Sequence, residues 1–73
     1  MTDTNLLLAK IKESGLKIGF IAEKLGISRA TLSYRINNHS EFRAPEIAML
    51  RNLLGLTQDE QEKIFFNSML TKK

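Results

Sequence analysis

The sequence predicts an all-α fold, five short helices packed into one compact domain. Three observations predict it. Apolar residues recur at helical spacing, and no segment sustains the two-residue alternation of a half-buried strand. Gly15, Gly26 and Gly55 each follow an apolar-periodic segment, where a left-handed residue ends a helix. Asp3 or Thr4, Ser28 and Thr57 stand where helices should begin, and their side-chain oxygens can accept from the free N–H groups there.

The first helix is expected from about Asn5 to Ser14, with Leu7, Leu8 and Ile11 facing one way and Lys10, Lys12 and Glu13 in solvent. The second runs from Lys17 or Ile18 to Leu25. Its Ile18, Ile21, Ala22 and Leu25 stand at i, i+3, i+4 and i+7, one buried stripe, and the small Ala22 at the centre permits close helix approach. Phe20 lies opposite that stripe, either packed on the first or fifth helix or exposed. Gly26 turns the chain with a left-handed backbone, and Ile27 packs beneath the turn. The third helix extends from about Arg29 to Asn37, with Ser28 as its cap. Leu32 and Ile36 face the core, so Ala30, Ser33, Tyr34 and Asn37 share the opposite face. A polar loop, Asn37-Asn38-His39-Ser40, follows. Pro45 suits the first turn of a fourth helix reaching about Leu54, whose core stripe is Ile47, Leu50 and Leu54, widened by Met49 and Leu53. The fifth helix opens on Thr57-Gln58-Asp59-Glu60, a capping-box pattern with acidic residues in the favoured first turn. It continues through Ile64, Phe65, Phe66, Met69 and Leu70, and Thr71-Lys72-Lys73 is expected to fray.

Seventy-three residues make a single domain over 1–73, and a chain this short buries only about 60% of its unfolded surface. A composition of 42% hydrophobic and 26% charged residues is that of a globular protein rather than a disordered one. The absence of cysteine excludes disulfides and thiolate metal sites and fits a reducing cytoplasm. The longest apolar run, Leu6-Leu7-Leu8-Ala9, falls far short of the ~20 residues that span a bilayer and is too short for a signal-peptide core. The net charge of +3, with a pI near 9.5, suits an anionic partner as well as simple solubility. Lys10, Lys12, Lys17, Lys24, Arg29, Arg35, Arg43 and Arg51 fall within residues 10–51, whereas Asp59, Glu60 and Glu62 cluster after Gly55. The basic side is therefore expected to coincide with the second and third helices, with the fifth facing elsewhere. His39 is the single histidine, which argues against a metal site. Ser28 with His39 has neither a third group nor an oxyanion site, so no enzyme and no cofactor are expected.

Residues 18–37 carry the functional signal. Two short helices joined at Gly26, the second polar outside and apolar inside, read as a helix-turn-helix, which lays a rigid helix in the major groove of DNA. The stretch Ile21-Ala22-Glu23-Lys24-Leu25-Gly26-Ile27-Ser28-Arg29-Ala30-Thr31-Leu32-Ser33 resembles the phage Cro and repressor family of helix-turn-helix regulators, also called the XRE family. It has the family's small Ala, turn Gly, following apolar residue, Ser cap and buried Leu. The resemblance covers essentially the whole chain. It implies a compact five-helix, lambda-repressor-like DNA-binding domain, a small Cro-like regulator of phage or prophage type acting in a bacterial cytoplasm. It also implies base and phosphate contacts from Ser28, Arg29, Ala30, Ser33, Tyr34 and Asn37. Two positions depart from the family pattern. Ile18 stands where many members place a phosphate-holding Gln, and Arg35 precedes Ile36 where many have an apolar residue one step earlier. Arg35 is expected along the core edge with its head in solvent.

Individual roles follow from side-chain chemistry. Arg29 can donate two bonds to guanine O6 and N7, or contact a phosphate instead. Ala30 and Thr31 suit a thymine methyl, and Ser33 and Asn37 suit bases or phosphates. Tyr34 offers its ring to sugars and its hydroxyl to phosphate, or is partly buried against the fourth helix. Lys17, Asn38, His39 and Arg43 flank the motif as backbone clamps, which fix register without reading sequence. One recognition helix contacts few base pairs, so a homodimer on double-stranded DNA is expected, reading half-sites roughly 34 Å apart. Phe65, Phe66, Met69 and Leu70 are either part of its dimer surface or core. The alternative from another class is a protein-interaction module of antitoxin or adaptor type, which would prefer large apolar residues on the outer face of the third helix. A third possibility, a recombinase or transposase fragment, would require a catalytic domain.

Overall fold

The computed structural model describes residues 1–66, an all-α arrangement of five helices. They are α1 (Thr4–Ser14), α2 (Ile18–Leu25), α3 (Arg29–Ile36), α4 (Ala44–Leu54) and α5 (Gln58–Phe65). α1 starts one residue earlier than the sequence suggests, Pro45 lies in the first turn of α4 as expected, and Asn37 closes α3 as its C-cap rather than lying within it. The expectations for Met69, Leu70 and Thr71-Lys72-Lys73 fall outside the described residues.

Local chemistry accounts for the helix ends. The Asp3 carboxylate accepts from the Leu6 N–H at 3.1 Å, and the Ser28 hydroxyl accepts from the Thr31 N–H at 3.0 Å. At α5 the reciprocal box forms: Thr57 Oγ1 accepts from the Glu60 N–H, and the Glu60 carboxylate accepts from the Thr57 N–H. α2 ends at Gly26, whose φ of 74° and ψ of 28° lie in the left-handed region. A Cβ at Gly26 would meet no atom within 4 Å, so the only obstacle to a side chain there is backbone strain. Gly26→Val is therefore expected to lower stability by roughly 1–2 kcal/mol, whereas Gly26→Asn, a residue that tolerates this region, should lose much less. Thermal melts of the two variants check this; equal melting of wild type and Gly26→Val would remove the strain argument.

The core collects residues from every helix. Leu7 and Ile11 of α1, Ile21 and Ala22 of α2, Leu32 and Ile36 of α3, Leu50 of α4, and Ile64 and Phe65 of α5 are buried, with Leu56 beneath the α4–α5 turn. Phe65 meets the Phe42 ring edge-on, with centroids 5.4 Å apart. It is therefore a core residue, the second of the two roles open to it in the sequence. Two apolar assignments fail. Leu8 and Met49 are exposed, because each sits beyond the edge of a stripe that Leu7 and Ile11, or Leu50, already fill. Among the described residues α5 packs on α1 and α4 and touches neither α2 nor α3, so its acidic first turn lies away from the α2–α3 pair.

Polar contacts hold the periphery. Lys10, expected in solvent, instead reaches across to the Glu60 carboxylate and joins α1 to α5. Hydrogen bonding to Glu60 holds the Lys10 ammonium above its ordinary pKa. Glu60 in turn is held below the usual carboxylate range, first by Lys10 and then by the Thr57 N–H. The N-terminal segment is stitched to the distant ends of α5 and α3: the Asp3 N–H donates to the Ile64 carbonyl at 2.7 Å, and the Thr4 hydroxyl donates to the Ile36 carbonyl.

A second tie that departs from the sequence expectation joins α3 to α4. The head of Arg35 is not in solvent: Nε lies 2.7 Å and Nη2 3.2 Å from the two carboxylate oxygens of Glu46, a bidentate pair in which each side chain is only about one-tenth exposed. Glu46 also accepts from the Arg43 N–H at 2.9 Å, which closes the start of α4. Burial pushes the Glu46 carboxyl up, but the Arg35 guanidinium, the Arg43 N–H and the charges of both arginines together hold it below the usual range. Glu46 and Glu60 both have depressed folded pKa values. Their contribution to stability is present above the ordinary glutamate pKa and is lost as pH falls through the folded values. Stability should hold near neutrality and decline on acidification, with a shallower decline in Glu46→Gln. Melting temperatures measured from pH 7 to pH 3 check the slope.

Candidate nucleic-acid interface

α2 and α3 meet through the turn at residues 26–28. Leu32, with no exposed surface, and Ile36 anchor α3 from beneath, one helical turn apart. That anchoring fixes which side of α3 faces outward. Ala30, Ser33, Tyr34 and Asn37 are all exposed, as the helical spacing requires. Ala30 carries no polar group, so α3 presents a short-chained surface flanked by two larger side chains, Arg29 and Tyr34.

The hydrogen bonds sort these residues by availability. The Ser28 hydroxyl is engaged as the α3 cap and donates to Thr31 Oγ1 at 2.9 Å, and Thr31 is half-buried. Asn37 Nδ2 donates back to the Ser33 carbonyl at 2.9 Å, which ties its amide nitrogen to the end of α3. Tyr34 is 60% exposed and is not buried against α4. Its ring meets the His39 ring edge-on at 5.6 Å, and the His39 N–H donates to the Tyr34 carbonyl at 2.8 Å. Tyr34 and His39 thus form one aromatic ledge at the C-terminal end of α3.

The four flanking residues divide differently from their sequence grouping. Lys17, the N-cap of α2, and Arg43, the N-cap of α4, are exposed cations. Asn38 serves the fold. Its φ of 67° is left-handed, a conformation Asn tolerates better than most residues. Its carboxamide accepts from the Thr2 N–H at 2.8 Å and donates to the Thr2 carbonyl at 2.9 Å, so both ends are engaged with the N-terminal segment. Phe20 resolves as exposed, with the Lys24 ammonium 5.4 Å from its ring centroid. Phe66 remains at the surface, on the rim of a cavity of about 190 Å³ that also involves Met1, Phe42 and Ile47.

Two residues that shape this face gave no signal in the sequence. Gly19 lies in the first turn of α2, and the Arg29 guanidinium rests against it. Glu46 fixes α4 to α3 through Arg35 across eleven residues of sequence, a separation at which no helical spacing rule applies. Asn38 could have been suspected, since Asn closing a helix and preceding a polar loop is a common left-handed residue. No family model, curated protein or solved structure matches this chain.

Proposed function

We propose that this protein is a sequence-specific double-stranded DNA-binding transcriptional regulator, with α2 and α3 as a helix-turn-helix in a compact repressor-like domain. The observation that carries the reading is the outward face of α3. Ala30, Ser33, Tyr34 and Asn37 are exposed on a helix pinned from below by Leu32 and Ile36, and the cations Lys17, Arg29 and Arg43 are exposed at the starts of α2, α3 and α4. Small side chains at the centre let the helix axis approach a groove floor closely, and cations at the margins meet the phosphates on either side. A protein-docking helix would carry several large apolar or aromatic residues at these positions, whereas α3 carries only Tyr34, beside Ala30, Ser33 and Asn37. The small Cro-like regulator of phage or prophage type remains the family reading that the motif suggests. A homodimer on two half-sites is the arrangement that gives such a domain useful affinity, with the exposed Phe66 a candidate contact.

Selection of bound duplexes from a random pool, followed by fluorescence anisotropy on the enriched sequence, tests the reading. Binding should fall steeply with salt, with a log–log slope of about −4.5 per subunit for ~5 phosphate contacts. Arg43→Ala should weaken enriched and random duplexes alike and reduce the slope by about 1. Absence of enrichment, together with no retardation of any duplex at low salt, would eliminate the DNA reading.

A further inference from the structure

Four glycines occur in the chain, and three of them, Gly15, Gly26 and Gly55, have positive φ values that explain their identity. Gly19 does not. It lies inside α2 with an ordinary helical backbone, where glycine is less favourable than alanine, so the reason for it must lie in space rather than in conformation. A Cβ on Gly19 would lie 2.8 Å from both Nε and Nη2 of Arg29 and 3.1 Å from its Cζ. The two shorter distances require a shift, and the atoms that would move belong to the guanidinium of the first residue of α3. Arg29 therefore folds back onto α2, and a side chain at residue 19 would displace its guanidinium from this position. Arg29 enters none of the ion pairs among the described residues, so its charge is not neutralised by them.

Building on the DNA-binding reading above, we propose that Gly19 is a positioning residue that assigns Arg29 to the sugar-phosphate backbone rather than to a base edge. In a helix-turn-helix the second helix enters the groove and the first crosses the backbone. A guanidinium seated on the first turn of α2 travels with the backbone-crossing element, beside Lys17 at the start of the same helix. Base discrimination then falls to the shorter side chains of the α3 face, Ala30, Ser33 and Asn37, and Arg29 supplies affinity common to all sequences.

The test is a double-mutant cycle with Gly19→Ala and Arg29→Ala in the full chain, read by anisotropy on the enriched duplex and on a random duplex across a salt series. Gly19→Ala replaces a helical glycine, so its melting temperature should equal or exceed that of wild type, and lost binding cannot be ascribed to unfolding. Each single variant should weaken both duplexes by a similar factor, roughly five- to tenfold, and the Arg29→Ala salt slope should fall by about 1. The double variant should bind as Arg29→Ala does. In the free wild-type protein, nuclear Overhauser contacts are expected between the Gly19 α-protons and the Arg29 side chain. The proposal is overturned if those contacts are absent, if Gly19→Ala binds like wild type, or if it weakens the Arg29→Ala background by the same factor. It is also overturned if Arg29→Ala relaxes preference at one base position while sparing random duplex, because Arg29 is then a base reader. Failure of wild type to bind any duplex removes the DNA reading and this assignment together; the Overhauser contacts report on the seat separately from that outcome.

Discussion

Leu32→Ala should be the most damaging of the single core truncations at the α2–α3 pair, with an expected loss of about 3–4 kcal/mol. Leu32 has no exposed surface and sits where α3 meets the rest of the core, so truncation removes buried methyls and leaves a cavity that rigid neighbours fill only in part. A domain of this size has about 4–11 kcal/mol of stability in total, so the variant should be partly unfolded at physiological temperature. The exposed face of α3 would then be lost with the helix that carries it, and DNA binding should disappear in parallel with helicity. Leu8→Ala is the informative contrast. The sequence pattern places both leucines in buried stripes, yet Leu8 is exposed, and its truncation should change stability by less than about 0.5 kcal/mol. Urea unfolding of the two variants separates the cases. Comparable losses at both positions would contradict the packing described.

Arg35→Ala should destabilise the fold by roughly 3 kcal/mol, because it leaves the Glu46 carboxylate at a nearly buried position without its main partner. A pH signature distinguishes this from an ordinary truncation. In wild type the raising effect of burial on Glu46 is outweighed by Arg35, the Arg43 N–H and the nearby charges, and the folded pKa lies below the usual range. Without Arg35 the opposing influences shrink to those of Arg43, and the folded pKa should rise. Glu46 then contributes stability on protonation instead of losing it, so acidification toward pH 4 should narrow the gap between Arg35→Ala and wild type. The double variant Arg35→Met, Glu46→Leu should recover much of the loss, since a buried ion pair is often no more stabilising than well-packed apolar groups of similar volume. A gap that stays constant from pH 7 to pH 4 would mean that the carboxylate is solvated after Arg35 is removed.

The pair also bears on the candidate interface. Arg35 occupies the flank of α3, one residue before the anchor Ile36, and its bond to Glu46 fixes the rotation of α3 against α4. The face formed by Ala30, Ser33 and Asn37 therefore depends on two kinds of anchor. Leu32 and Ile36 set which side is outward, and Arg35 limits how far that side can roll.

Features that depend on neighbours within one or two helical turns are legible in the order of residues alone. The five helices, the left-handed Gly26, the Ser28 and Thr57 caps, and the division of α3 into Leu32 and Ile36 beneath and Ala30, Ser33, Tyr34 and Asn37 above follow from a period of about 3.6 residues and from the free N–H groups at helix starts. Tertiary structure alone decided the rest. It decided that Leu8 and Met49 stay outside while Phe65 goes in, that Lys10 finds Glu60 and Arg35 finds Glu46, that Asn38 holds Thr2, and that Gly19 makes room for Arg29. The physical reason is common to all of them. Periodicity names the face of a helix but not the width of core available to it, and a long side chain selects its partner by the distance between packed helices, which separation along the chain does not encode.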